Sequence, residues 1–179
     1  MRIAISGSHR TGKSTLVSLL SELLPAYATI DEPYHSMEEE GHEFSHPPSI
    51  EDFEAQLARS IRDLEADGSN VLFDRSPIDF LAYAAAHEDA DAFDLDEWLP
   101  QVRAAVETLD LIVFVPIESS DRITLSASDR RDETRGAVDE KLREMLIDDS
   151  LELELDVLEV EGDPETRVHA VMRRIRKPT

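Results

Sequence analysis

The segment from Gly7 to Ser14 has the residue types and the spacing that bind a triphosphate, with glycine at its first and sixth positions followed by lysine and serine. The glycines permit backbone angles at which successive N–H groups converge on one anion. Lys13 would neutralise the β- and γ-phosphates, and Ser14 would give its hydroxyl to Mg²⁺. The pattern predicts a Walker A phosphate loop that binds ATP with Mg²⁺. The residues predicted to bind the nucleotide are Gly7, Ser8, His9, Arg10, Thr11, Gly12, Lys13, Ser14 and Thr15.

The elements around the loop are those that would hold it at the edge of a sheet. Ile3–Ser6 predicts a buried strand and Ser14–Leu24 predicts a helix, and strands and helices alternate from there on. This alternation is typical of an α/β fold, a P-loop three-layer sandwich with a five-stranded parallel sheet and helices on both faces. Further strands are predicted over 28–31, 70–73, 109–115 and 156–160, and further helices over 49–67, 77–87, 96–108, 137–146 and 164–176. The run 109–115 is expected at the centre of the sheet, and 33–48 is expected to be a loop.

Charged residues follow two of the predicted strands, where ligands bind in open parallel sheets. Glu32 comes after the second strand and could accept a proton from an attacking hydroxyl. It could equally be a solvated carboxylate or a cap for a short helix. Asp74 directly follows the third strand and is predicted to hold Mg²⁺ together with Ser14. Arg75, beside it, can reach a phosphate.

Arginines are concentrated after the fourth strand, in a segment of about 118–136 that is interpreted as a lid. A mobile arginine arm that closes over the γ-phosphate would stabilise the charge that develops in phosphoryl transfer. Arg130 and Arg131 are the favoured catalytic candidates. The acidic residues around them could instead hold the arginines in surface ion pairs. The cluster consists of Arg122, Arg130, Arg131 and Arg135.

The composition excludes several classes of protein. The chain has 179 residues, with 40 acidic against 18 basic residues and a formal net charge of −22. Such an acidic surface disfavours nucleic acids and anionic membranes as partners. The acidity suggests adaptation to a salt-rich cell interior, although an acidic proteome would produce it too. The length predicts a single domain over 1–179. The absence of cysteine, of a membrane-spanning run and of a leader before the first strand favours a cytoplasmic protein.

These motifs together resemble the P-loop small-molecule kinases, particularly the deoxynucleoside kinases and the ribosylnicotinamide-kinase-like AAA-type ATPases. The resemblance rests on the phosphate loop, Glu32-Pro33, a helix with Phe53 and Gln56, and Asp74-Arg75-Ser76. It implies that Glu32 is the base, that Asp74 and Arg75 contact metal and phosphates, and that Gln56 reads a nucleobase. The tryptophan that the deoxynucleoside kinases carry shortly after Glu-Pro is replaced here by Met37, so the resemblance does not extend to a tryptophan sandwich.

The function predicted on these grounds is transfer of the γ-phosphoryl group of ATP to a small, nucleoside-like metabolite. The identity of the acceptor and the oligomeric state are not predicted. The alternative is an ATP-binding regulatory ATPase without an acceptor. A GTPase is not expected, because Pro116–Ser119 stands where a guanine motif would follow the fourth strand.

Phe53 and Tyr83 are either core residues or part of an acceptor pocket. Three histidines in the expected loop over 33–48 are interpreted as loop residues, not as a metal site. They are His35, His42 and His46.

Overall fold

The computed structural model describes residues 1–118 and 130–176, and it describes the side chains of the second range from 134 onward. Within these ranges the chain forms a parallel sheet of five strands in the order β2-β3-β1-β4-β5. The strands are β1 (Arg2–Ser6), β2 (Ala28–Ile30), β3 (Val71–Asp74), β4 (Leu111–Phe114) and β5 (Val157–Glu159). The helices are α1 (Lys13–Leu23), α2 (Pro33–Glu39), α3 (Ile50–Glu65), α4 (Pro77–Ala85), α5 (Leu95–Val106), α6 (Arg130–Leu146) and α7 (Pro164–Ile175), with a short 3₁₀ helix at Ala90–Ala92.

Helices cover both faces of the sheet, so the predicted three-layer α/β fold is confirmed. On one face α1 and α7 pack their apolar sides onto the sheet, burying Leu16, Leu20 and Val171 completely or nearly so. On the other face α3, α4, α5 and α6 form the larger core, which includes Leu57 and Phe80. Because both faces are buried, the central strands are continuous apolar runs without alternation.

Three expectations about the elements are wrong. β1, not β4, is the middle strand, and β4 lies beside it between β1 and β5. The expected loop over 33–48 contains the helix α2, in which Pro33 is the buried residue and supplies the first turn. A helix that buries so little has no apolar period to reveal it. The helix expected over 137–146 begins earlier, at Arg130, so α6 includes the last part of the segment interpreted as a lid, while residues 119–129 lie outside the described ranges.

The order of the strands determines where the site can form. β1 pairs in parallel with β3 and β4, so that Ile5 lies opposite Asp74 and Ser6 opposite Phe114. The phosphate loop therefore leaves β1 between the ends of two neighbouring strands. No helix within the described ranges is long and apolar enough to cross a membrane.

Candidate active site

The phosphate loop follows β1 and closes tightly against the segment after β4. A Cβ atom on Gly7 would lie 2.5 Å from the carbonyl oxygen of Val115, so no other residue fits there without moving the backbone. Gly12, which precedes α1, has φ 91°, a left-handed conformation that favours glycine. Both glycines of the motif are thus required by the geometry.

Lys13 lies inside the loop and is buried. Its Nζ atom donates to the carbonyl oxygen of Ser8 at 2.7 Å, and the Thr11 hydroxyl donates to the same oxygen at 3.1 Å. Burial lowers the pKa of Lys13 to about 8, helped by the nearby charge of Arg75. A bound polyphosphate would reverse this shift, because it would supply the counter-charge that the ammonium group needs.

Ser14 and Asp74 meet as the sequence predicts. The Ser14 hydroxyl donates to Oδ2 of Asp74 at 2.9 Å, while Oδ1 of Asp74 is buried with no hydrogen-bond partner. Burial raises the pKa of Asp74 and outweighs the hydrogen bond of Ser14 and the charges of Lys13 and Arg75. A hydroxyl and an unsatisfied carboxylate oxygen side by side fit Mg²⁺, which binds oxygen ligands and is usually held by one or two protein groups plus phosphates.

Arg75 connects three parts of the site. Its Nε donates to Oε1 of Glu32 at 2.5 Å, and its Nη1 donates to the carbonyl oxygen of Gly7 at 3.0 Å and to Oδ1 of Asp79 at 3.2 Å. The Arg75 backbone has φ 93°, which for a residue with a side chain indicates strain imposed by its surroundings. Its guanidinium group also lies 5.3 Å from the centre of the Tyr83 ring. The buried residue thus fixes the position of Glu32 relative to the loop.

Glu32 sits at the start of α2, but its side chain makes no capping hydrogen bond. The helix-cap alternative is therefore wrong, and the side chain pairs with Arg75 instead. Burial raises the pKa of Glu32, but the charge and the hydrogen bond of Arg75 outweigh burial and leave the pKa below its ordinary value. Glu32 is consequently ionised at neutral pH.

Asp79 is one residue of this site that the sequence analysis missed. It is 0% exposed, and its Oδ1 accepts from the backbone N–H of Gly7 at 2.9 Å, while Oδ2 accepts from the N–H of Ser76 at 2.9 Å. The second contact is part of a capping box at the start of α4. The spacing of Ser76 and Asp79 could have revealed that cap, but not the bond to the phosphate loop.

A cavity of about 650 Å³ adjoins the loop, and Glu32 and Arg75 form part of its wall. Its other described walls come from the phosphate loop, α2, α3, α4 and α6, and from the segments before α3 and after α4. Phe53 and Tyr83 stack on each other in this wall with ring centres 5.3 Å apart. The core alternative is confirmed for this pair, and because both rings also line the cavity, their part in an acceptor pocket stays a prediction. The remaining lining residues are His9, Tyr34, Pro47, Pro48, Gln56, Phe80, Ala86, His87, Glu88, Thr134 and Ala137.

Gln56 lines the cavity, and its side-chain amide donates to the carbonyl oxygen of Asp52 at 3.1 Å, while its implied reading of a nucleobase stays a prediction. Trp98 does not contact the phosphate loop. Its indole N–H donates to Oε1 of Glu54 at 3.2 Å, between α5 and α3. Among the described residues, no group of three or more His, Cys, Asp or Glu side chains is arranged to hold a metal.

His9 belongs to the phosphate loop and also lines the cavity. Its Nδ1 lies 3.4 Å from the Tyr83 hydroxyl. Burial lowers the pKa of His9 to about 4, and the charges of Arg135 and Arg75 contribute to the shift. At neutral pH the ring is therefore uncharged, so it adds a polar but neutral surface beside the phosphates.

The arginines expected in the lid have different outcomes. Arg122 lies outside the described ranges. The backbones of Arg130 and Arg131 begin α6, but their side chains are not among those described, so their predicted role stays a prediction. Arg135, which was the less favoured candidate, is buried and donates to the phosphate loop at the carbonyl oxygens of His9 and Arg10.

The strand order, the phosphate loop and the acid after β3 define a P-loop protein with the fold of the small-molecule kinases. The chain belongs to the AAA domain family, whose model matches residues 2–167. The resemblance to the P-loop small-molecule kinases is thereby confirmed at the level of family and fold.

Solved structures support the same fold. Deoxyadenosine kinase from M. mycoides with bound dATP is 17% identical, with 99% of this chain and 100% of that chain covered and a TM-score of 0.69. The NadR protein in complex with NAD and AMP-PNP is 19% identical over 96% of this chain and 48% of that chain, with a TM-score of 0.65. Shikimate kinase from Aquifex aeolicus is 19% identical over 98% and 96% of the two chains, with a TM-score of 0.59. No curated protein sequence matches the chain.

Proposed function

We propose that the protein is a kinase that transfers the γ-phosphoryl group of ATP to a hydroxyl group of a small, nucleoside-like metabolite. The observation that carries this proposal is the cavity of about 650 Å³ beside the phosphate loop, with an ionised carboxylate in its wall. A nucleotide switch needs a phosphate loop but no second pocket for a small molecule. A cavity of this size is in the range of small-ligand sites.

Each group of residues at the site would have a separate role in phosphoryl transfer. The phosphate loop and Lys13 would hold the triphosphate. Ser14 and Asp74 would hold Mg²⁺, which would neutralise phosphate charge when bound. Glu32, fixed by Arg75, would orient the acceptor hydroxyl and receive its proton, while a depressed pKa makes positioning its larger contribution.

The lining of the cavity favours an acceptor with a flat ring. The stacked rings of Phe53 and Tyr83 offer an apolar surface, and Gln56 and His87 offer polar groups around it. Nucleosides and ribosylnicotinamide combine a ring, which can lie on that surface, with a primary hydroxyl that can face the phosphates. Among the structurally similar proteins, deoxyadenosine kinase binds dATP, and NadR binds NAD and AMP-PNP, all of which contain a nucleoside part.

The test is ADP release from MgATP by the purified protein, at low and at molar KCl. The acceptors are a panel of nucleosides, ribosylnicotinamide, nucleoside monophosphates and shikimate, and the product is identified by ³¹P NMR. Glu32→Gln is compared with Asp31→Asn, because Asp31 is the adjacent exposed carboxylate and is not among the residues that line the cavity.

Stimulation by one acceptor that is lost in E32Q and retained in D31N is the expected result. Tight ATP binding with slow hydrolysis that no acceptor stimulates would overturn the proposal and favour the regulatory ATPase. Stimulation by shikimate or by a nucleoside monophosphate alone would keep the kinase and reject the nucleoside-like acceptor.

A further inference from the structure

All six backbone carbonyl groups between Gly7 and Gly12 in the phosphate loop accept hydrogen bonds. Two arginines from distant helices donate hydrogen bonds to three of these carbonyl oxygens. Arg135 of α6 donates from Nε to the carbonyl oxygen of His9 at 2.9 Å and from Nη2 to that of Arg10 at 3.3 Å. Arg167 of α7 donates from Nη1 to the carbonyl oxygen of Thr11 at 2.6 Å.

The other three carbonyl oxygens accept hydrogen bonds from donors within or beside the loop. The Gly7 oxygen accepts from Arg75 at 3.0 Å, the Ser8 oxygen accepts from Lys13 at 2.7 Å, and the Gly12 oxygen accepts from the N–H of Leu16 at 3.0 Å. The carbonyls of His9, Arg10 and Thr11 are thus the part of the loop that depends on Arg135 and Arg167.

This arrangement matters because a peptide group presents its N–H and its C=O in opposite directions. An anion-binding loop must turn its N–H groups inward, so its carbonyls must turn outward and find donors there. A charged guanidinium group is a stronger donor than a neutral one. Donors fixed on the outside therefore hold the N–H groups in place on the inside before any ligand arrives.

Both arginines are fixed strongly enough to act in this way. Arg135 is 3% exposed and Arg167 is 8% exposed. Nη2 of Arg167 also donates to Oε1 of Glu118 at 2.6 Å, and the same oxygen accepts from the N–H of Gly162 at 2.7 Å. The Arg167 guanidinium additionally covers Gly12, since Nη1 would lie 3.0 Å from a Cβ at that position.

We propose that Arg135 and Arg167 are positioning residues that hold the phosphate loop in its anion-binding conformation from the outside, without contacting the nucleotide. The inference rests on the proposed function only in that the loop binds a polyphosphate. It differs from the sequence-based interpretation of the arginine cluster, in which an arginine of the lid reaches the γ-phosphate directly. For Arg135 it replaces a catalytic contact with a structural one.

The test compares Arg135→Met and Arg167→Met with Arg173→Met in the full-length chain. Arg173 is an exposed arginine on α7, and its loss removes the same charge without touching the loop. Two quantities are measured: the backbone ¹⁵N order parameters of Gly7 and Gly12 in the ligand-free protein, and the affinities for magnesium tripolyphosphate and MgATP. Tripolyphosphate has no base or sugar, so it reports on the loop alone.

We expect R135M and R167M to lower the order parameters of the loop and to weaken both ligands by a similar factor, on the order of tenfold. R173M should behave as the wild type. The lysine variants R135K and R167K, which retain a charged donor, should lie between the methionine variants and the wild type. If a methionine variant does not fold, the lysine variant at that position is used with the same expectation of a smaller change.

Unchanged order parameters with weaker ligand binding would overturn the inference, because they would indicate direct contact with the ligand. Weaker binding of MgATP with unchanged binding of tripolyphosphate would overturn it as well, and would assign the arginine to the base or sugar. Failure of the wild type to bind either ligand would reject the proposed function instead. In that case the order parameters of the ligand-free protein still decide the inference.

Discussion

Nε of Arg75 lies 2.5 Å from Oε1 of Glu32, although the two residues are 43 positions apart in the chain. The contact joins the end of β2 to the end of β3, which are neighbours in the sheet. It keeps an ionised carboxylate at the wall of the cavity and ties it to the phosphate loop through the carbonyl oxygen of Gly7. One buried guanidinium group thus sets the distance between the triphosphate and the group that would orient the acceptor.

Replacing Arg75 by methionine should change the pH dependence of the reaction as well as its rate. Arg75 lowers the pKa of Glu32 against the opposing effect of burial, so removing the charge leaves burial to raise it. The acid limb of the kcat profile should therefore move to higher pH in R75M, and kcat at its optimum should fall by at least about tenfold because the carboxylate loses its orientation. Steady-state kinetics between pH 4.5 and 9 measure both effects.

The matched control for R75M is Arg62→Met, which removes an arginine from the far end of α3, where it is exposed. R62M should retain the wild-type profile. An acid limb at the same pH in R75M and the wild type would mean that Glu32 does not govern the reaction.

Lys13 should take up a proton when the nucleotide binds. Its pKa of about 8 in the ligand-free site means that about half of the molecules carry a neutral amine at pH 8, and the polyphosphate favours the charged form. Calorimetric titration with MgATP in buffers of different ionisation enthalpy should report an uptake of about half a proton at pH 8, rising towards one near pH 9.5. The affinity should fall over the same interval, because binding must first recharge the amine.

Lys13→Arg is the control for this uptake, since arginine remains protonated throughout the range. Any binding that K13R retains should proceed without proton uptake. Lys13→Ala should lose both nucleotide affinity and turnover. Uptake near zero at pH 8 and pH 9.5 in the wild type would show that the amine is already charged in the ligand-free site.

The sequence predicted those parts of the site whose residues are close together in the chain. The phosphate loop and the strand that ends in Asp74 each lie within a few residues of a recognisable pattern, so their local geometry follows from spacing. Since parallel strands end at the same edge, the meeting of Ser14 and Asp74 could be predicted too. The side-chain partners of Glu32 could not be predicted, because the same local sequence allows a helix cap, a solvated carboxylate or an ion pair.

The contacts that secure the loop were beyond sequence reasoning for a different reason. Arg135 and Arg167 bind backbone carbonyls, and a carbonyl carries no residue identity that a motif could record. Helix α2 escaped prediction because it buries one residue, whereas periodicity detects helices by the apolar face that they bury. The central position of β1 depends on which strands pair, and the apolar character of β4 does not determine this.

Asp79 should contribute more to stability than other carboxylates of the chain. The variant Asp79→Asn keeps the shape of the side chain but turns an NH₂ group towards donors that the carboxylate accepted from, and leaves buried Arg75 with one counter-charge fewer. We expect a loss of about 3 kcal/mol in the free energy of unfolding. Urea denaturation followed by circular dichroism measures this loss.

Asp91→Asn serves as the comparison for D79N, because Asp91 is exposed in the short 3₁₀ helix. Its free energy of unfolding should change by less than about 0.5 kcal/mol. A similar small change in D79N would show that the network around Gly7, Arg75 and Ser76 does not stabilise the fold.

The acidity of the surface should make the stability of the protein depend on salt. With a formal net charge of −22, and with exposed acidic runs such as Glu38–Glu40, carboxylates repel one another more in the folded state than in the expanded chain. Salt shortens the distance over which they interact from about 30 Å at 0.01 M to about 3 Å at 1 M. We therefore expect Tm to rise by at least about 5 °C between dilute buffer and 1 M KCl.

Differential scanning calorimetry measures Tm at each KCl concentration. NaCl is the control, because screening by salt does not depend on the identity of the cation. Most of the rise should occur below about 0.3 M, where the screening length has already fallen to contact distances between neighbouring side chains. A Tm that does not rise would count against adaptation to a salt-rich cell interior and favour the acidic-proteome alternative.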